Sequence, residues 1–143
     1  MYEHITKVRV RYAETDQMNI VYYGNYAQYF EVGRAESIRA LGFTYKEMEE
    51  MGVRMPVVHM ETRYLRPAHY DDLISIKTEL RELPQEHAIV FHHEVFNEND
   101  KLLTTGKVTL YFIDTHTGKK TVMPQDLKNT LAPFFKEGNK ESI

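Results

Sequence analysis

Between residues 25 and 41 the apolar side chains recur at helical spacing, in a chain whose other long patterned segments alternate like strands. Tyr26, Phe30, Gly33, Ser37 and Leu41 fall on one stripe, widened by Tyr29 and Val32, with Arg34, Glu36 and Arg39 on the remaining surface. Gly42 supplies a helix stop. Gly33 inside the helix costs roughly 1 kcal/mol relative to Ala. A small residue there makes sense where the helix lies very close to a sheet. A single helix of this kind must bury its stripe, and the rest of the chain offers strands to bury it against.

Residues 5–12 alternate, with Val8, Val10 and Tyr12 on one face and Lys7, Arg9 and Arg11 on the other. After the long helix, Thr44 and Glu47 have capping-box spacing and Gly52 is a stop, which predicts a short helix over 44–52. Strands are expected at about 56–66, 72–82, 87–97 and 102–114, with a shorter one near 119–123. Turns fall at Pro84 and over 97–101, a brief helix within 124–135, and a frayed tail over 137–143. Consecutive strands joined by short turns favour antiparallel pairing. The expected fold is therefore α+β, an antiparallel sheet wrapped around one long central helix, in a single domain over 1–136.

Several function classes are excluded early. The chain of 143 residues has no cysteine, which removes disulfides, thiolate nucleophiles and Cys-ligated zinc. Its net charge is −3 and no basic stripe stands out, so nucleic acid is not an expected partner. No apolar run long enough to span a membrane and no signal-peptide core is present, so a cytoplasmic location is expected. The seven histidines are scattered. His92 and His93 are adjacent and on a strand would point to opposite faces, so no metal site is expected.

Residues 9–26 carry the chemistry. Asp16 stands in a loop after the first strand, and the long helix begins a few residues later. A helix N-terminus offers unsatisfied N–H groups and partial positive charge. Such donors stabilise a carbonyl oxygen that becomes negative during acyl transfer. A nearby carboxylate can attack that carbonyl or deprotonate a water. Spacing gives the two features close together in sequence but not their distance, and Thr15-Asp16 before a turn also fits a solvated loop carboxylate. Tyr22, Tyr23, Tyr26, Tyr29 and Phe30 cluster around the helix start. At helical spacing, Tyr26, Tyr29 and Phe30 read as core or dimer packing.

The stretch Arg9-Val10-x4-Thr15-Asp16-x2-Asn19-Ile20-Val21-x-Tyr23-x2-Tyr26 resembles the active-site signature of the 4-hydroxybenzoyl-CoA thioesterase family, and is similar to that of the Tol–Pal-associated acyl-CoA thioesterases. The later run Tyr64-Leu65-Arg66-Pro67-Ala68-His69-Tyr70-Asp71-Asp72 resembles the same family's R-P-A turn followed by D-D or G-D. The likeness extends over nearly the whole chain and implies the hotdog fold and hydrolysis of an acyl-CoA. It implies that Asp16 is nucleophile or general base and that Tyr23, with Gly24, polarises the thioester carbonyl. Asn25 matches the polar residue that opens the helix. Tyr23 departs from the His or Phe of many members, which alters the acyl pocket rather than the N–H. Glu31 either lies near the acyl group or pairs with Arg34, its neighbour on the helix surface.

The resemblance also implies a homodimer or homotetramer with the site between subunits, where Val58, His59 and Arg63 face a partner's helix. Alternation places Val57, His59, Glu61 and Arg63 on one face. Arg63 or Arg66 either binds the coenzyme A phosphates or is a solvated strand-end charge. No cofactor is required, coenzyme A being part of the substrate. Two other readings keep the same fold: a dehydratase, which generally needs a catalytic His absent near position 16, and a non-catalytic acyl-CoA or acyl-carrier binder.

Overall fold

In the computed structural model, which describes residues 1–136, five antiparallel strands form one sheet. They are β1 (Tyr2–Arg9), β3 (Val57–Tyr64), β4 (Leu73–Leu80), β5 (Ala88–Phe96) and β6 (Leu102–Tyr111), in the spatial order β1-β4-β5-β6-β3. A two-stranded ribbon joins β2 (Val53–Arg54) to β7 (Ile113–Asp114). The long helix α1 (Tyr26–Arg39) packs on β1, β4 and β5. Short helices α2 (Tyr45–Glu50) and α3 (Gln125–Leu131) complete the described chain, and the tail over 137–143 lies outside the described residues.

The strand periodicity sorts side chains as expected of a half-buried sheet. On β5, Ile89, Phe91, His93 and Val95 are buried while Val90, His92 and Glu94 face outward. The buried set from β4, β5 and β6 meets Tyr29, Phe30 and Ile38 of α1 in one core, which also takes in Leu127 and Leu131 of α3. The close approach anticipated at Gly33 is present. A Cβ there would stand 2.6 Å from Thr78 Oγ1 and 2.8 Å from Ile76 Cγ2 of β4. Beside it the Phe30 ring closes on Gly106 of β6, where a Cβ would come within 2.5 Å of its Cε2 and Cζ. Thr44 caps α2, its Oγ1 accepting from the Glu47 N–H at 3.0 Å.

Four expectations are corrected. Tyr12 is not on β1: β4 begins at Leu73, so the strand has no partner past that register, and Tyr12 instead starts a 3-10 turn, Tyr12–Glu14, with its ring exposed. Arg34 is buried beside Tyr45, whereas Val32 is exposed. The segment 102–114 divides at Phe112, whose N–H donates to His87 O while the chain leaves the main sheet for the ribbon. Residues 119–123 form no strand, since only an isolated bridge ties Lys120 to Ile113.

Candidate active site

Residues 10–22 form a tight, self-bonded loop between β1 and α1. The Asp16 N–H donates to Ile20 O at 2.9 Å and its carbonyl accepts from Asn19 N–H at 3.0 Å. Asn19 closes this turn at a φ of 64°, a left-handed conformation that Asn tolerates. Asp16 Oδ1 accepts the Met18 N–H at 2.8 Å. Its Oδ2 meets no donor among the described residues, and the half-buried carboxylate borders a groove of about 500 Å³ with Tyr12, Thr15 and Asn19.

The second motif stitches this loop in place. Val21 N–H donates to Ala68 O at 2.9 Å, Ile20 bridges to His69, and Val10 exchanges bonds with Asp71 and Asp72. The two stretches that carried the family resemblance are therefore in direct contact, although 37 residues, 27–63, separate them in sequence.

A 3-10 turn, Tyr23–Asn25, runs straight into α1. The Tyr23 and Gly24 N–H groups, at the positive end of that helix, donate to no acceptor among the described residues. The Tyr22 ring folds across Gly24, where a Cβ would come within 2.8 Å of Tyr22 Cε2. The Asn25 amide does not cap α1; it donates to Glu14 O at 2.8 Å.

Next to this turn lies a largely apolar pocket of about 250 Å³, lined by Ile20, Val21, Tyr23, Tyr26, Tyr64 and Pro67 among others. Tyr64 sits edge-on to Tyr26 at 5.5 Å and to Tyr23 at 6.1 Å. Its hydroxyl donates to Tyr23 O at 3.2 Å. That carbonyl belongs to the peptide whose N–H is Gly24.

Sequence reasoning missed Glu14. This buried carboxylate accepts from Arg11 N–H at 2.8 Å and from the Tyr29 hydroxyl at 2.9 Å, and pairs with the Arg11 guanidinium at 3.1 Å. Burial pushes the Glu14 carboxyl up, but the Arg11 and Tyr29 bonds together outweigh it and hold it below the usual carboxylate range. Burial, then the carboxylate itself, raises the Tyr29 hydroxyl, which stays a protonated donor. The available signal was Arg11 three residues before Glu14; Tyr29 lies fifteen residues on.

The β3 residues lie elsewhere in the same chain. His59, Glu61 and Arg63 oppose Thr109, Lys107 and Thr105 on the sheet face away from α1. Val57 leaves that face because a bulge falls between it and His59, correcting the simple alternation. His59 pairs with Glu61 at 3.1 Å, and Arg63 borders a mixed-charge groove with Glu94 and Lys107. Val58 is exposed. None of Val58, His59 and Arg63 lines the Asp16 groove or the tyrosine pocket. Glu31, exposed on α1, forms no ion pair with Arg34 and acts on it only through space.

A long helix on an antiparallel sheet, with a carboxylate loop at the helix N-terminus, defines a class of α+β protein, the hotdog fold. Residues 10–131 match the model of the thioesterase-like superfamily, and the chain belongs to that family. A DHNA-CoA thioesterase from Staphylococcus aureus superimposes with a TM-score of 0.90 at 34% identity, over 100% of this chain and 97% of that one. A putative acyl-CoA thioesterase of Bacillus subtilis is 40% identical over 69% of this chain and 72% of its own length. A 4-hydroxybenzoyl-CoA thioesterase in complex with 4-hydroxybenzoyl-CoA shares the fold, with a TM-score of 0.79 at 18% identity over 91% of this chain and 99% of that one.

Proposed function

We propose that this protein is an acyl-CoA thioesterase, converting an acyl-CoA and water into a carboxylic acid and free coenzyme A. The observation that carries the reading is the pairing of Asp16, one carboxylate oxygen free, with the open Tyr23 and Gly24 N–H groups at the start of α1. Asp16 acts in one of two ways. As nucleophile it attacks the thioester carbonyl, expels the coenzyme A thiolate and leaves a mixed anhydride that water opens. As general base it takes a proton from the attacking water. In both, the oxyanion is held by backbone N–H groups at the helix terminus, and no metal or cofactor takes part.

The tyrosine-lined pocket beside those donors is the place for the acyl group, and its aromatic walls and modest volume suit a compact or planar one. The thioesterase names of the relatives support the reaction class. Strand β3 supports a homodimer, or a homotetramer built from it. Among the described residues it pairs only with β6, leaving its other edge open, and it exposes Val57, Val58, Met60 and Tyr64. Pairing of two copies there continues the sheet, so Met60 and Tyr64 of one subunit, on the α1 face, come toward the α1 of the other, where Glu31 and the Asp16 loop lie, while His59 and Arg63 stay on the opposite face. The cytoplasm, where acyl-CoA is made and used, is the compartment this activity needs; among the described residues no helix is long and apolar enough to cross a membrane. The test is release of free thiol from short, long and aromatic acyl-CoAs. Release with a preference for compact acyl groups is expected. A tightly bound acyl-CoA with no thiol release over the whole panel would make the protein a binder.

A further inference from the structure

We propose that Glu14 is a positioning residue that fixes the Asp16 loop against the N-terminus of α1, with Tyr29 as its anchor on the helix. The inference rests on the thioesterase reading above. Glu14 lies two residues before Asp16 and engages both sides of the site. Its side chain accepts from the Tyr29 hydroxyl at 2.9 Å, one turn into α1. Its main-chain carbonyl accepts from Tyr22 N–H at 3.0 Å and from the Asn25 amide at 2.8 Å, on either side of the Tyr23 and Gly24 donors. Its remaining bonds hold Arg11, where the loop leaves β1: Oε1 accepts the Arg11 N–H, Oε2 the guanidinium, and the Glu14 N–H donates to Arg11 O.

Glu14 is only 8% exposed, so its charge sits where desolvation is expensive. A loop that needed only stability is served as well or better by a packed apolar side chain. A buried carboxylate with a full set of donors supplies directional bonds that fix a distance, and distance is what a carboxylate and an oxyanion site must share. Asp16 itself has no bond to the helix among the described residues. Beside the Asp16 N–H bond to Ile20 O and the short run of chain from Ile20 to Tyr23, Glu14 therefore supplies a side-chain tie between the loop of the attacking group and the helix of the oxyanion donors.

The test compares Tyr29→Phe, Glu14→Gln and Glu14→Ala in steady-state thiol release. Tyr29→Phe keeps the ring and its edge contact with Tyr26 at 5.6 Å and removes only the hydroxyl. It is expected to lower kcat on the order of 10-fold with KM for the acyl-CoA changed by less than about 2-fold. Glu14→Gln, which keeps an acceptor for Arg11 N–H and Tyr29, should retain more kcat than Glu14→Ala. The Glu14→Gln/Tyr29→Phe double variant should lose little more than the worse single one, because both cut the same link. A purely structural Glu14 shifts the thermal midpoint and leaves kcat of the folded variants intact. Wild-type kcat in folded Tyr29→Phe and Glu14→Gln, with Asp16→Asn inactive, overturns this proposal and spares the thioesterase reading. Absence of thiol release from the wild type overturns the reading itself. If Glu14→Ala fails to fold, kcat of Tyr29→Phe and Glu14→Gln decides between the two roles without it.

Discussion

Acid should cost this protein stability through His93, and the amount follows from where the ring sits. His93 is 1% exposed, stacked on Phe30 at 4.8 Å and 4° between planes, with Nδ1 3.1 Å from Thr78 Oγ1. Burial first, then the positive charges of Arg34 and His92, pull its pKa from the ordinary 6.5 down to about 3. The unfolded chain therefore takes up the proton well before the folded one. Stability falls as pH drops from about 6.5 toward 3, and the lost part is fully present above that window. Between about pH 7 and about pH 4.5 this one group removes about 2–3 kcal/mol, a figure set almost wholly by the unfolded value. That is a large share of a typical stability of about 5–15 kcal/mol.

The assay is urea unfolding at both pH values for the wild type and His93→Phe, at one protein concentration. Phe keeps the stack on Phe30 and removes the proton site. It leaves the Thr78 hydroxyl without its partner, a cost that does not depend on pH. Carboxylates such as Glu14, held below their usual range, also lose stabilising power as pH falls through their folded values, but they do so equally in both proteins. The stability gap between the two should therefore shift by about 2–3 kcal/mol in favour of His93→Phe on acidification. A gap that stays constant to within about 0.5 kcal/mol would refute the claim that His93 is buried neutral.

Two further outcomes are expected. Gly33→Ala should destabilise by about 1–2 kcal/mol in the same unfolding assay, because the new methyl meets Thr78 and Ile76 and the overpacking outweighs the better helix propensity; a more stable variant would mean that the helix can lift off β4 freely. Met60→Lys on the open edge strand should lower the sedimenting mass and abolish thiol release together, and a wild type that sediments as a 16.9 kDa monomer while active would contradict a site shared between subunits.

Where sequence and structure agree, the information is local. The period of α1, the Thr44 cap of α2 and the 97–101 turn, in which Asn97 N–H meets Lys101 O at 3.0 Å, all depend on residues a few positions apart. Gly33 was readable because glycine inside a helix asks for a reason, and the sheet supplies it. The misses are long-range. Arg34 reads as a surface charge until Tyr45, from the next helix, lies beside it. Val57 fits the alternation of β3 until the pairing with β6 shifts register at a bulge. The strand expected near 119–123 finds only one bridge among the described residues, to Ile113.

The site divides in the same way. The motif around Asp16 and Tyr23 was legible as a string of residues, and so was the run ending at Asp72. Their mutual contact through Val21 and Ala68 was not, because no local rule ties positions so far apart. Glu14 drew no reading from the sequence at all, although it stands two residues before Asp16. Only the folded chain shows that one of the two is buried under four donors while the other keeps a free oxygen.

The most direct test is kcat/KM for thiol release by Asp16→Asn on the best acyl-CoA, with its thermal midpoint measured alongside. Asn keeps an oxygen to accept the Met18 N–H, so the loop should hold and the midpoint stay near the wild type. The account predicts a loss of activity of at least about 100-fold in a folded protein. Wild-type turnover by folded Asp16→Asn would contradict it and move the search for the catalytic group elsewhere in the chain.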